Sequence, residues 1–251
     1  MAKRYLLGNE AIAHACIEAG VDFASGYPGT PSSEVIDTLR AQREREFYIE
    51  WSVNEKVAYE NALAASWCGL RSIVTMKHVG LNVAADPLLT SAYTGVEGGF
   101  VVLSADDPYA HSSQNEQDTR RYAHFAKIPC MNPSSVQEAH DMMLDAFALS
   151  EEVGLPVIFR PTTRICHSKG DIDLGEVSGE HRAGAFVKDP RQYVVIPAHT
   201  RVLHKILHEE QPIVWEVVTG PKCSTPLQSC GGDARASPPK RPSHLHNAHR
   251  Q

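Results

Sequence analysis

Glu55, Lys77, His78 and the Tyr27-Pro28-Gly29-Thr30 turn are the residues whose types and positions could do chemistry. A carboxyl group opening a helix, with Val53, Val57 and Ala58 around it, can share a proton with a ligand nitrogen once it is partly desolvated. The plainer reading of the same residues is a capping box, Ser52-Val53-Asn54-Glu55, in which Glu55 only satisfies a backbone N–H. Lys77 and His78 can bind a carboxylate or shuttle a proton, although side chains after a strand are commonly just solvated. Arg120 and Arg121, in Gln117-Asp118-Thr119-Arg120-Arg121, suit an acidic ligand, and arginines in a polar loop also form ordinary surface ion pairs.

The elements that must position these residues alternate. Strand patterns at Tyr5–Leu7, Val21–Ala24, Phe47–Ile49, Ser72–Met76, Phe100–Leu103, Ile128–Met131 and Val157–Phe159 are separated by helical periodicity. Asn9 reads as a helix cap, as does Thr30 with Pro31 at the first helical position of a Thr30–Gln42 helix. Ser52 opens a helix to about Cys68, Val83 to Tyr93 is helical, and Ser134 caps another. Asp106 to Lys127 is a long polar connection. Strands joined by helices predict an α/β fold: one open parallel sheet with helices on both faces. The polar clusters Tyr27–Thr30, Ser52–Glu55, Lys77–Gly80 and Ala105–Asp107 then all fall at carboxyl ends of strands, where such sheets bind ligands.

Organisation follows from the same pattern: 1–167 is the α/β domain, 168–210 a linker and the start of a next segment, and 211–251 an atypical, disordered tail. Tyr193 to Leu207 could add a strand and a helix, and Ile213–Val218 looks strand-like. The tail carries Arg235, Lys240, Arg241 and Arg250 against Asp233, opposite in sign to the chain's net charge of −6. That net charge argues against nucleic acid or an anionic membrane as partner. A hydrophobic content of 42% supports a sizeable core. No signal peptide or apolar span is legible, and six cysteines without CxxC spacing read as free thiols in a reducing cytosol, with Cys16 and Cys68 in the core. Metal-ligand spacing is absent, as are a GxGxxG after a strand and a P-loop, and Gly231-Gly232-Asp233 lacks the strand that a diphosphate–magnesium site needs.

A capped turn beside a helix-start glutamate is what the pyrimidine end of thiamine diphosphate requires. A carboxyl group at N1′ favours the imino tautomer, whose 4′ nitrogen takes the C2 proton of the thiazolium. The order Gly8-Asn9-Glu10-Ala11, Gly26-Tyr27-Pro28-Gly29-Thr30-Pro31-Ser32-Ser33-Glu34, Trp51-Ser52-Val53-Asn54-Glu55-Lys56-Val57-Ala58 and Met76-Lys77-His78-Val79-Gly80-Leu81-Asn82 closely resembles the alpha subunits of indolepyruvate:ferredoxin oxidoreductases, over residues 1 to about 208. The resemblance implies a pyrimidine-binding domain of an enzyme that oxidatively decarboxylates aryl 2-oxoacids to acyl-coenzyme A with ferredoxin as acceptor. It implies Glu55 at N1′, Tyr27, Pro28, Gly29 and Thr30 around the pyrimidine, and Thr30, Lys77, His78, Asn82 and Arg120 on the substrate side, with Arg121 nearly as good a carboxylate partner. It further implies a beta subunit and an oligomer.

The family pattern also holds Mg2+, a diphosphate-binding domain and 4Fe-4S clusters, whose ligands this sequence lacks. The expectation is therefore a truncated or frameshifted chain, inactive alone. Two other classes stay open. One is a subunit of a non-oxidative thiamine-dependent 2-oxoacid decarboxylase; the other is a folded module without catalysis.

Overall fold

The computed structural model describes residues 2–42, 46–178 and 182–219. Along the chain run β1 (Ala2–Leu7), α1 (Gly8–Glu18), β2 (Phe23–Gly26), α2 (Ser33–Ala41), β3 (Tyr48–Trp51), α3 (Glu55–Trp67) and β4 (Ser72–Lys77). They continue with α4 (His78–Val83), α5 (Ala85–Thr94), β5 (Phe100–Ala105), a 3₁₀ turn at Pro108–Ala110, α6 (Arg120–Ala126), β6 (Cys130–Met131) and α7 (Val136–Val153). The last are β7 (Val157–Phe159), α8 (Thr163–His167), β8 (Lys169–Leu174), α9 (Pro190–Tyr193) and α10 (Pro197–Thr219).

Among the described residues a six-stranded parallel sheet has the order β3-β2-β4-β5-β7-β6, with helices on both faces, as the alternating pattern predicts. β5 is buried along its whole length, which explains its apolar character on both faces. Tyr59, Phe100, Phe147 and Phe159 are among the largest fully buried side chains of the core, and Tyr59 meets Phe100 edge-on at 5.0 Å. Arg71, before β4, grips Glu151 on α7 through two contacts of 2.7 Å, tying the amino edge of the sheet to that helix.

Several expectations change. β1 is not part of the main sheet. It pairs antiparallel with β8, Ala2 opposite Leu174 through Leu7 opposite Lys169, so the stretch read as a linker begins with a strand. Ile172 and Leu174 pack with Ala11 and Val136, which gives β8 its place. The β-branched run Ile213–Val218 is helical within α10, where Leu207 and Val214 pack on the core, and Tyr193–Leu207 supplies helix without strand. Tertiary burial outweighs strand propensity there. Of the tail read as disordered over 211–251, residues 211–219 are instead helical, as the last turns of α10, while 220–251 lie outside the described residues, and so do Cys223 and Cys230. Cys16 and Cys166 are buried free thiols whose pKa burial pushes up, and burial pushes Cys130 up to about 12. Among the described residues no helix is long and apolar enough to cross a membrane.

Candidate functional site

The sheet order reverses at β2. The chain leaves β2 for β3 on one side and returns to β4 on the other, so the carboxyl ends of β2 and β4 flank a topological switch point. Two turns meet there. Tyr27 N–H donates to Thr75 O at 3.1 Å, continuing the β2–β4 ladder, after which the chain bends through Pro28 to Ser32. Gly29 N–H donates to Ser33 Oγ at 2.9 Å, and Gly29 O accepts from the Ser32 amide and hydroxyl at 2.8 and 2.9 Å. The Thr30–Pro31 peptide is cis. Thr30 is exposed and does not cap the helix; α2 starts at Ser33 with buried Ser32 at the cap position, two residues later than expected.

Gly29 lies on the Lys77 side chain. A β-carbon built on Gly29 would meet Lys77 Cδ at 3.0 Å and Cγ at 3.1 Å, so a side chain there would push the lysine aside. Lys77 Nζ donates to Ser112 O at 3.0 Å. His78, 1% exposed, engages Asn115 O through Nε2 at 3.0 Å. A carbonyl accepts only from N–H, so Nε2 is assigned a proton, and Nδ1 is buried without a partner.

Glu55 opens α3, but it is not a capping residue. The cap is Asn54, whose side chain accepts from Val57 N–H at 2.9 Å. Ser52 Oγ instead donates to Glu50 Oε1 at 2.7 Å, and that bond, with one from Asn61, holds the Glu50 carboxyl below the usual range. Both halves of the expected box are thus absent. The half-buried Glu55 carboxyl has no hydrogen-bond or ion-pair partner among the described residues. It lies over Gly80, where a β-carbon would meet Oε1 at 2.5 Å.

The long polar connection is ordered around two aspartates. Asp106 is fully buried, pairs with Arg160 Nε at 2.6 Å and accepts from the Thr119 amide at 3.1 Å and from the Thr119 hydroxyl. For Asp107, burial works to raise the carboxyl pKa. Hydrogen bonds from the Ser112 amide, the Ser113 and Thr163 hydroxyls and the His111 amide outweigh it and hold the group down to about 2. These anchors place residues 111–117 across Lys77 and His78, and Tyr122 O–H on Asn82 Oδ1 joins α6 to α4.

Arg120 stands apart. Asp118 grips its guanidinium at 2.8 Å through both Nε and Nη2, and that hydrogen bond keeps Asp118 below the usual carboxylate range. With Arg121 and His124 they line a hollow of about 320 Å³. No hydrogen bond or ion pair joins Arg120 to Glu55, Lys77 or the turn. Sequence reasoning missed Asn9, read as a cap: it is buried within α1 and bonded to Pro31 O and Glu34. Its 22-residue separation from Pro31 left no local signal.

A carboxylate without a partner at a helix start, with close approach allowed by Gly29 in the facing turn and by Gly80 in α4, marks a small-molecule-binding α/β domain. Residues 14–242 match the family described as "Pyruvate flavodoxin/ferredoxin oxidoreductase, thiamine diP-bdg", and the chain belongs to this family. An indolepyruvate oxidoreductase subunit IorA from Thermococcus kodakarensis is 53% identical over 211 residues, covering 82% of this chain and 33% of that protein. Its Archaeoglobus fulgidus counterpart is 52% identical, covering 83% and 34%. A 2-oxoglutarate synthase subunit KorA from Methanothermobacter thermautotrophicus is 27% identical over 182 residues, covering 69% of this chain and 48% of that one. The chain thus spans about a third of the length of the IorA proteins. The solved 2-oxoglutarate:ferredoxin oxidoreductase of Magnetococcus marinus, with 2-oxoglutarate, coenzyme A and succinyl-CoA bound, superposes with a TM-score of 0.68 at 17% identity, over 85% of this chain and 45% of that one, and shares the fold.

Proposed function

We propose that this chain is the pyrimidine-binding part, residues 1–167 above all, of a cytoplasmic oxidoreductase that decarboxylates an aryl 2-oxoacid. Indolepyruvate is favoured by the names of the relatives above 50% identity. The products are CO2 and the acyl-coenzyme A, with two electrons passed singly to ferredoxin. The observation that carries the reading is Glu55: a half-buried carboxyl group without a partner, seated over Gly80. An unpaired carboxylate in such a place is a binding group awaiting a donor.

The residues fit the pyrimidine end of thiamine diphosphate. Glu55 would hold a proton at N1′, and Gly80 leaves the room this needs. Tyr27, Pro28, Gly29 and Thr30 would wall the ring. When bound, the cofactor supplies the carbon nucleophile toward the 2-oxo carbonyl and takes up the electrons left by CO2. On the substrate side, Thr30 would donate its hydroxyl, and Lys77 would exchange Ser112 O for the substrate carboxylate. His78 would accept a hydrogen bond at Nδ1, and Asn82 would complete the wall. Arg120 would meet a carboxylate through the guanidinium donors that Asp118 leaves free.

Among the described residues no group of three or more His, Cys, Asp or Glu could hold a metal ion. On this reading Mg2+, the diphosphate anchor and the 4Fe-4S clusters belong to the remaining length of the longer relatives or to a beta subunit, in an oligomer. This chain by itself should not turn over.

Calorimetry with thiamine diphosphate tests the reading. Wild type should bind, and Glu55→Gln should bind at least about tenfold more weakly. Equal, measurable binding by the two proteins would overturn it, as would ferredoxin reduction by Glu55→Gln in the reconstituted enzyme at the wild-type rate.

A further inference from the structure

The opening motif Gly8-Asn9-Glu10-Ala11 has no role in the site as described, yet the fold uses each residue. A β-carbon on Gly8 would come within 2.0 Å of Ile165 O, so the chain passes α8 only as glycine. Glu10 Oε2 accepts from Leu7 N–H at 2.7 Å and ends β1 at the helix start. Ala11 packs with Val136, Ile172 and Leu174. Asn9 reaches out of α1 altogether: its amide nitrogen donates to Pro31 O at 2.6 Å and to Glu34 Oε2 at 2.8 Å.

Both partners are acceptors, and only the NH2 end of an amide can serve two acceptors at once. The reversed amide would set its oxygen against a carbonyl and a carboxylate, so the partners themselves fix the orientation. Asn9 is fully buried, and its Oδ1 has no partner. The fold thus leaves one buried acceptor unsatisfied in order to hold both ends of the Pro31–Glu34 segment.

We propose that Asn9 is the positioning residue of the Tyr27–Ser33 turn. Clamping Pro31 and Glu34 fixes the level at which Gly29 meets Lys77 and at which Tyr27, Pro28 and Thr30 are presented. The consequence for the thiamine pyrimidine rests on the function proposed above; the clamp itself does not.

Hydrogen exchange on the purified 251-residue chain, read by mass spectrometry with and without thiamine diphosphate, tests it. Asn9→Leu should exchange roughly tenfold or more faster over residues 27–34, with β5 and α7 unchanged. Glu34→Ala removes only one half-exposed partner and should accelerate the same peptides less. Asn9→Asp should match Asn9→Leu near pH 8. Near pH 5 it should recover part of its protection, because a protonated carboxyl has one O–H for Pro31 O. His167 Nε2 on α8 also faces Glu34 Oε1 at 3.7 Å, so Asn9→Leu read at both pH values is the control, and a role in packing alone gives Asn9→Asp no recovery beyond it.

Unchanged exchange over 27–34 in folded Asn9→Leu overturns the clamp. Should Asn9→Leu lose protection throughout the chain, Glu34→Ala decides, and an unchanged turn there overturns it. A loosened turn in Asn9→Leu upholds the clamp whatever thiamine diphosphate does to the wild type, and a wild type that binds the cofactor with no change over 27–34 sinks the pyrimidine reading of the turn.

Discussion

The carboxyl group of Glu55 rests directly on the α-carbon of Gly80: a methyl group there would lie 2.5 Å from Oε1 and 2.9 Å from Cδ. Gly80 sits in α4 without a positive φ, so alanine is conformationally welcome and gains about 1 kcal/mol of helix propensity. The atoms it meets belong to the end of a flexible side chain, which can swing away. Gly80→Ala should therefore leave the melting temperature unchanged or slightly raised while weakening thiamine diphosphate binding by about tenfold or more. Melting curves and calorimetry on one preparation separate the two effects. Wild-type affinity in a stable Gly80→Ala would show that the position of Glu55 does not matter.

The helix cap gives a second comparison. Asn54 accepts from Val57 N–H, whereas Ser52 donates to Glu50. Asn54→Ala should cost about 1 kcal/mol, and Ser52→Ala less than about 0.5 kcal/mol, in urea unfolding. The opposite ranking would restore the capping box.

Much of the fold is legible because burial writes itself into sequence. Val157–Phe159 appears as a strand at the expected residues, and β5 is recognisable from apolar residues on both faces. β8 escapes because its inward alternation is only Ile172 and Leu174, set among lysine, glycine and aspartates, and its ladder to β1 is made of backbone groups. Ile213–Val218 misleads because β-branched residues favour strands unless tertiary packing decides otherwise. In the site, convergence at strand ends follows from parallel topology alone. The contacts Gly29–Lys77, Glu55–Gly80 and Asn9–Pro31 cross between elements, and nothing local encodes them. The cap was displaced by two residues because serine and asparagine serve that position equally well.

The buried Asp106–Arg160 pair anchors the loop over Lys77 and His78. Arg160 also donates to Asn132 Oδ1 at 2.6 Å, so the guanidinium ties together the ends of β5, β6 and β7. Removing one partner strands a buried charge: Arg160→Met should cost about 3–5 kcal/mol. The double variant Asp106→Leu with Arg160→Met should cost less than the sum of the singles, because neither charge is then left alone. Additive costs in denaturant unfolding would show that the two residues do not act as a pair.

Asp107 sets the acid limit of the same loop. Its folded pKa, about 2, lies below the ordinary value of about 4 for an unfolded aspartate. The folded state thus binds this proton less readily than the unfolded one, and stability rises with pH across that interval. The contribution is complete above about pH 4 and is lost as pH falls toward about 2. Asp107→Asn keeps the shape but loses acceptor strength toward Ser112, Ser113 and Thr163, and should be less stable by about 1–2 kcal/mol at neutral pH. The gap should close between about pH 4 and pH 2, as wild type takes up the proton. Unfolding free energies of both proteins across that range check it, and a gap that widens with acid would mean that the Asp107 carboxylate is not what its hydrogen bonds stabilise.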